Sequence, residues 1–218
     1  MTNPNPFIMD YLAACKAAME SPIDPHKTRF ISLDCETTGL DPKRDRIITI
    51  GAISLLGTEI RMDDSLEMLL PIAFNTSTVE IHGITADAAR EGIEEDEALQ
   101  AFAEFVSGDI LVGHHLGFDL KVLNHAALRQ FNVPLANRWF DTMEIALFLV
   151  KREAWKPKEN LKDYSLDTLC RLFDIIPHDR HTAAGDAFIT AQIFLKLRFI
   201  ALKHGLWNQL PLRMKIPI

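Results

Sequence analysis

The sequence has no surplus of positive charge and no long apolar run. Its 23 lysine and arginine residues face 30 aspartate and glutamate residues, which gives a formal net charge of -7. Proteins that coat nucleic acid are usually basic, so this chain either does not bind nucleic acid or binds it at a local site. No apolar run reaches the ~20 residues that a membrane helix needs, and we expect no contact with a membrane.

Cysteines are few, and none is placed to form a disulfide framework or a zinc site. Cys15, Cys35 and Cys170 are far apart and form no CxxC pair, which favours a reducing, cytoplasmic location. The N-terminal stretch "FIMDYLAACKAAM" contains Asp10 and has no basic segment before it. It is therefore interpreted as an amphipathic helix over 7–20 rather than as a signal peptide.

Length and composition favour one main domain with short additions. The chain has 218 residues, of which 48% are hydrophobic, enough for one well-filled core. We expect an N-terminal helix and linker over 1–27, a main domain over 28–204 and a C-terminal tail over 205–218.

Periodicity and turn residues predict an α/β fold with a mixed sheet. Three strands, then strands alternating with helices, favour an antiparallel meander extended by further strands, with helices packed against the sheet. The predicted strands cover 29–35, 46–56, 58–70, 109–113 and 138–142. The predicted helices cover 94–106, 116–131, a segment ending near 150, 165–175 and 183–203.

The stretch "FISLDCETTGL" (30–40) ends a predicted strand with two acids, one residue apart. Side chains alternate along a strand, so Asp34 and Glu36 project to one face, opposite Leu33 and Cys35. Two adjacent carboxylates repel and are costly to bury unpaired. A hard cation such as Mg²⁺ or Mn²⁺ would resolve both problems. The alternative is a solvated strand end at which one acid pairs with a lysine.

Two later segments add candidate ligands. Asp119 follows a strand in "LVGHHLGFDLKVLN" (111–124), near the sheet edge where α/β proteins bind ligands; it could also be an ordinary acid near a helix start. In "HTAAGDAFITAQIFLKL" (181–197), His181 and Asp186 would lie about 140° apart on one continuous helix. They converge only if His181 precedes the helix; otherwise His181 is a cap or surface residue.

Taken together, "DCET", "GHHLGFD" and "HTAAGD" resemble the three motifs of the DnaQ-like (DEDD) 3′–5′ exonucleases. The five-residue His–Asp spacing matches their His-containing subclass, and "IHGIT" (81–85) resembles a loop that recurs in the family. The likeness covers about 29–200. It implies a ribonuclease H-like fold, with a five-stranded mixed sheet flanked by helices, and an exonuclease domain at 28–204. It also implies two-metal hydrolysis of a phosphodiester bond at a free 3′ end.

The resemblance assigns roles to individual positions. Asp34, Glu36, Asp119 and Asp186 would hold two Mg²⁺ or Mn²⁺ ions, and His181 and Glu36 would be catalytic. His181 would take a proton from the attacking water, a role that suits imidazole near neutral pH. The expected substrate contacts are Thr37, Thr38, Gly39, Leu40, His82, Gly83, Ile84, His115 and Phe118. His115 stands where the second motif commonly has asparagine.

Two further segments bear on partners. Lysines and arginines around Trp155, in 151–162, form a local basic patch for a single strand's phosphates, with Trp155 as a stacking surface for a base. The alternative is a solvated loop. "QLPLRM" (209–214) faintly resembles a peptide that binds a sliding clamp, although an ordinary structured tail is the favoured interpretation.

The leading functional hypothesis is a 3′–5′ exonuclease that releases nucleoside 5′-monophosphates from single-stranded DNA, in proofreading or repair. Proofreading would require a separate DNA polymerase chain as partner. The alternatives are a trimmer of RNA or short oligonucleotides, since DNA is favoured over RNA only weakly, and a non-catalytic nucleic-acid-binding scaffold.

Overall fold

A mixed sheet forms the centre of the molecule. The structure, a computed structural model, describes residues 6–71, 92–157 and 163–216. Within these ranges the sheet has five strands in the order β3-β2-β1-β4-β5. They are β1 (Arg29–Thr37), β2 (Ile47–Leu56), β3 (Glu59–Leu69), β4 (Ile110–Gly113) and β5 (Trp139–Asp141). The first three strands form an antiparallel meander, while β4 is parallel to β1 and β5 to β4. The predicted α/β fold with a five-stranded mixed sheet is confirmed.

Helices cover both faces of this sheet. In the described part of the chain they are α1 (Pro6–Glu20), α2 (Glu95–Val106), α3 (Gly117–Phe131), α4 (Thr142–Lys151), α5 (Leu166–Leu172) and α6 (Ala183–Lys203), followed by a 3-10 turn at Trp207–Gln209. None of the described helices is both long enough and apolar enough to cross a bilayer.

Helix α5 ends three residues earlier than the sequence predicts. Asp174 adopts a left-handed φ of 54°, and the next amide, that of Ile175, donates back to the carbonyl of Cys170 at 2.9 Å. Ile175 is buried. This is the Schellman termination of a helix, formed here without the glycine that would have marked it in the sequence.

Each face of β1 contributes to a different core. Ile31, Leu33 and Cys35 pack in the first core, with residues of α1, α2 and α3. Phe30 packs in the second core, with residues of α4, α5 and α6. Asp34 and Glu36 therefore share the face of Phe30, as the strand alternation predicts.

Both terminal segments fold onto this domain. Tyr11 in α1 is buried, and its hydroxyl donates to Asn137 at 2.6 Å and accepts from the amide of Ala136 at 2.8 Å. At the other end, the backbone groups of Arg213 and Trp139 exchange two hydrogen bonds of 2.8 and 2.9 Å. The segment 209–214 thus lies along β5 at the edge of the sheet, with Leu210 buried.

Candidate metal and active site

The carboxyl end of β1 lies at a crevice in the sheet. Strand β1 pairs with β4 only from Phe30 to Ser32, so Asp34 and Glu36 extend beyond this parallel pairing. The chain leaves β1 toward β2 on one side and returns to β4 on the other. Such a point, outside the carboxyl ends of parallel strands, is where α/β sheets bind ligands.

Helix α6 brings Asp186 to this crevice from the second-core face. Asp34 is paired across the sheet with Gly51 of β2, and a Cβ at Gly51 would overlap the backbone of Ala183 and Ala184. Ser32 donates a hydrogen bond of 2.7 Å from its hydroxyl to the carbonyl of Ala187. The first turn of α6 therefore rests directly on the sheet beside Asp34, which a side chain at position 51 would prevent.

Helix α3 brings Asp119 from the opposite face. The N-terminus of α3 is held by Asp141, whose carboxylate accepts hydrogen bonds from the amides of Leu116 at 3.0 Å and Met143 at 2.9 Å. Asp119 is buried and accepts a hydrogen bond from the backbone amide of Cys35. The acid on α3 thus contacts β1 between Asp34 and Glu36.

Four carboxyl groups consequently crowd around one point. One ligand oxygen from each of Asp34, Glu36 and Asp186 lies within 4.8 Å of the other two. Asp119 is close enough to add to the repulsion at Asp34. The structure therefore brings the four predicted metal ligands into one neighbourhood, with Asp119 just outside the tightest group of three.

Burial and mutual repulsion make these acids difficult to ionise. Burial, followed by repulsion from Asp186, raises the pKa of Glu36 to about 7. Burial raises the pKa of Asp119 to about 8, against the lowering effect of its backbone hydrogen bonds. The pKa of Asp34 is also raised well above its usual value, first by burial and then by Asp119. A cation at this point would relieve the repulsion.

The donor set fits a divalent metal ion. Oδ1 of Asp186 is buried and has no hydrogen-bond partner among the described residues, a costly arrangement for a carboxylate unless a cation occupies the site. Carboxylate oxygens are the ligands that Mg²⁺ and Mn²⁺ prefer. The arrangement can therefore hold such ions with groups from β1, α3 and α6.

His181 lies on the turn before α6, two residues from the start of the helix. It has a left-handed φ of 64°, which is uncommon for a residue with a side chain. Its ring is exposed, lies near Asp167 and makes no hydrogen bond within the described ranges. Thr182 caps the helix instead, accepting a hydrogen bond from the amide of Gly185 at 3.1 Å.

The turn after β1 is closed by its own polar groups. The hydroxyl of Thr37 donates to the carbonyl of Gly39 at 2.8 Å, and that of Thr38 donates to Asp45 at 2.9 Å. The amide of Thr38 donates to the carbonyl of Arg46. These hydrogen bonds hold the turn together, and contact of its groups with a nucleotide stays a prediction.

The remaining predicted substrate contacts differ in their surroundings. Leu40 is 87% exposed, and His115 is exposed with a left-handed φ of 56°. Phe118 is half-buried against the first core. His82, Gly83 and Ile84 lie outside the described residues.

Sequence patterns did not predict that an arginine side chain enters the site, or which group His114 contacts. Arg180 forms ion pairs with both Asp186 and Asp167. His114 contacts the hydroxyl of Thr142 through Nδ1 at 2.9 Å, and burial lowers its pKa to about 4. Near neutral pH its ring is therefore uncharged. For Arg180, the only sign in the sequence was its position directly before the third motif, which does not show whether the side chain points inward.

One face of the predicted stacking surface at Trp155 is covered by another ring. The ring of Trp155 stacks on Phe173, with the centroids 4.8 Å apart and the planes 12° from parallel, and packs against the second core. Nearby, Lys156 pairs with Glu153 at 3.5 Å. The side chain is half-buried, and stacking of Trp155 on a base stays a prediction.

Comparison with known sequences finds nucleases and DNA polymerases. A family model described as "Exonuclease" (RNase T) matches residues 31–194. The PolC-type DNA polymerase III of Thermotoga maritima is 32% identical over 178 residues, which are 81% of this chain and 12% of the polymerase. That of Bacillus subtilis is 31% identical over 180 residues, with the same coverage of each chain. The present chain therefore corresponds to a small part of these relatives.

Solved structures share the fold. Escherichia coli exonuclease I, in a zinc-bound complex with single-stranded DNA, has a TM-score of 0.70 and 21% identity, covering 84% of this chain and 42% of the other. Cell-death related nuclease 4 has a TM-score of 0.66 and 15% identity, covering 83% and 65%. At these identities the likeness establishes a common fold, and the predicted ribonuclease H-like architecture is confirmed.

Proposed function

We propose that this chain, which belongs to the exonuclease family, hydrolyses phosphodiester bonds at the 3′ end of single-stranded DNA. The family match confirms the predicted resemblance to DnaQ-like exonucleases. The products would be nucleoside 5′-monophosphates. The observation that carries the proposal is the convergence of Asp34, Glu36 and Asp186 within 4.8 Å at the carboxyl end of β1, with Asp119 beside them.

These four acids would hold two divalent ions, Mg²⁺ or Mn²⁺. Such ions lower the pKa of a bound water and neutralise charge on the phosphate. The protein contributes a ligand set assembled from both faces of the sheet. Because the carboxyl groups are buried and crowded, they gain more from a cation than exposed acids would.

His181 would accept the proton of the attacking water at an imidazole nitrogen, and Glu36 would help to position that water. The exposed ring on a left-handed turn supports this role, since strained backbone often occurs at functional sites. The hydrogen-bonded turn at Thr37–Leu40 would border the pocket for the 3′ nucleotide, with exposed Leu40 against its base.

Single-stranded DNA is the proposed substrate because the solved exonuclease I neighbour binds it. The PolC-type relatives support a proofreading role, in which this chain would act in the cytoplasm beside a DNA polymerase chain. We do not propose a sliding clamp as a partner, because the backbone of Arg213 in the segment 209–214 pairs with Trp139 of β5 and Leu210 is buried in the second core.

The test is digestion of oligonucleotides of one sequence, labelled at the 5′ end, as single-stranded DNA, duplex DNA and RNA. With Mg²⁺ or Mn²⁺ we expect a ladder that shortens from the 3′ end of the single-stranded DNA, and none in EDTA. Asp34→Asn should be inactive, whereas Arg61→Gln, at an exposed position on β3, should retain activity.

Other outcomes would select the alternatives. Faster shortening of RNA would replace the DNA exonuclease with an RNA trimmer. Binding without cleavage of any strand, with both metals, would support a scaffold and overturn the proposed function.

A further inference from the structure

Arg180 lies inside the acidic site, although no motif contains it. Its side chain is 19% exposed and forms ion pairs with two carboxylates that lie on different helices. Nη1 donates to Oδ2 of Asp186 in the first turn of α6, and Nε donates to Oδ1 of Asp167 in α5 at 2.8 Å. The guanidinium therefore bridges the two helices at the edge of the acid cluster.

The two oxygens of Asp186 lie in different surroundings. Oδ2 accepts the hydrogen bond from Arg180, while Oδ1 is buried and has no partner among the described residues. With Oδ2 held, the carboxylate cannot rotate without breaking a charge-assisted hydrogen bond. Oδ1 is thereby left as the oxygen available to a ligand.

Asp167 fixes the guanidinium itself. Its side chain is 67% exposed, so on its own it would contribute little stability. Since guanidinium is planar, one hydrogen bond at Nε and another at Nη1 set the orientation of the whole group. The chain Asp167–Arg180–Asp186 thus runs from the surface into the site.

We propose that Arg180 is a positioning residue, anchored by Asp167, that orients the carboxylate of Asp186 so that Oδ1 faces the metal ions. This inference rests on the proposed function, because it assumes that Asp186 is a metal ligand. Residues that orient metal ligands through hydrogen bonds commonly change metal affinity by about 10–100-fold.

The opposite expectation follows if Arg180 acts only through its charge. A guanidinium beside a metal site repels the cation, so removing it would strengthen metal binding. Orientation and charge therefore predict changes of opposite sign. Arg180→Lys separates the two explanations further, because lysine keeps the positive charge but lacks the planar guanidinium that bonds both acids in a fixed orientation.

The experiment is calorimetric titration of Mn²⁺ into the full chain and into Arg180→Gln, Arg180→Lys and Asp167→Ala. We expect Arg180→Gln to weaken Mn²⁺ binding by about 10–100-fold, Arg180→Lys to weaken it nearly as much, and Asp167→Ala to weaken it less. Arg61→Gln is the matched control, since it removes the same charge from an exposed ion pair with Asp63 on β3.

A second readout separates orientation from loss of structure. The Mn²⁺ concentration for half-maximal activity should rise in Arg180→Gln, while the KM for the oligonucleotide at saturating Mn²⁺ stays the same. The thermal midpoint in EDTA shows whether the variant folds. If Arg180→Gln does not fold, Asp167→Ala still tests the inference, because it removes the anchor of Arg180 at an exposed side chain.

The outcomes distinguish the two proposals. If the parent chain binds no Mn²⁺, both the proposed function and this inference are wrong. If the parent chain binds Mn²⁺ but Arg180→Gln and Asp167→Ala bind it equally or more tightly, the inference alone is overturned.

Discussion

Both ends of β1 carry clustered acids, but the acids at the start share one arginine, whereas those at the end crowd around one point. At the start of the strand, Arg29 pairs with Asp64 at 2.9 Å and also with Asp109. Ser54 donates a further hydrogen bond to Asp64, and the Arg29 guanidinium lies over the ring of Phe105 at 4.9 Å. At the end of the strand, four acids surround a point where Arg180 pairs with Asp186.

The difference appears in how readily the acids ionise. At the start of β1, the hydrogen bond from Arg29 lowers the pKa of Asp64, while burial raises that of Asp109 against the lowering effect of Arg29. At the end of the strand, burial raises the pKa of Glu36 to about 7 and that of Asp119 to about 8. A paired cluster of this kind contributes to stability, while crowded acids with raised pKa values are typical of functional sites. The comparison predicts that mutations at the two ends will separate stability from activity.

The largest effect should come from neutralising a proposed metal ligand. Asp34→Asn should reduce nuclease turnover by roughly 10³-fold or more, because it removes charge that the ions and phosphate require. Asp64→Asn, the matched change at the other end of β1, should leave turnover within about twofold and lower the free energy of unfolding by about 1 kcal/mol, since its side chain is 38% exposed. Oligonucleotide digestion and urea unfolding measure the two quantities. Equal activity of both variants would contradict the distinction between the two ends.

His181→Ala should have the next largest effect. Loss of a general base commonly reduces kcat by about 10²–10⁴-fold, whereas Mn²⁺ binding should be retained because His181 is not a proposed metal ligand. His178→Ala, at an exposed position three residues earlier, serves as the control. Single-turnover digestion and Mn²⁺ titration of the same samples provide the test, and unchanged turnover would exclude His181 as the base.

A third pair of variants tests how closely α6 must approach the sheet. A Cβ at Gly51 would overlap backbone atoms of α6 beside the site, and a Cβ at Gly108 would overlap the backbone of Ala14 in α1. Both Gly51→Ala and Gly108→Ala should destabilise the protein by roughly 1–3 kcal/mol. Gly51→Ala should also reduce kcat by displacing Asp186, whereas folded Gly108→Ala should retain it. Melting curves and digestion at a temperature where both variants are folded would show whether the two effects separate.

Much of this arrangement could be predicted from local sequence patterns. Strand alternation places Asp34 and Glu36 on one face because the period of a strand is fixed. The five-residue spacing places His181 before the helix because a single helix would separate it from Asp186. These predictions depend on backbone geometry, which neighbouring residues largely determine.

Contacts between distant segments were harder to predict. Nothing in the residues around Arg180 distinguishes an inward guanidinium from an exposed one, because its direction depends on Asp167, thirteen residues earlier. The stacking of Trp155 on Phe173 likewise depends on how α5 packs. Charged and aromatic side chains in polar segments have several low-cost positions, and tertiary packing selects among them.

The smallest expected effect is a difference in pH dependence between the two ends of β1. Where a folded-state pKa exceeds the value of about 4 in an unfolded chain, the native protein retains protons that the unfolded chain has lost, and stability falls as pH rises. In EDTA, the raised pKa values of Glu36 and Asp119 should make the thermal midpoint fall as pH rises from about 4 to about 8. Asp64, whose pKa is lowered, should lose its contribution only as pH falls below about 4.

The variant Asp119→Asn tests this pH dependence. It keeps an oxygen for the amide of Cys35 but removes the charge, so it should flatten the curve of midpoint against pH and raise the midpoint at pH 8 by about 2–4 °C per kcal/mol of repulsion relieved. Mn²⁺ should flatten the curve of the parent chain in the same way, because bound cations replace protons at the carboxylates. Melting curves from pH 5 to pH 9, in EDTA and in Mn²⁺, would test this; parallel curves for the parent chain and Asp119→Asn in EDTA would mean that crowding of the acids does not limit the stability of this site.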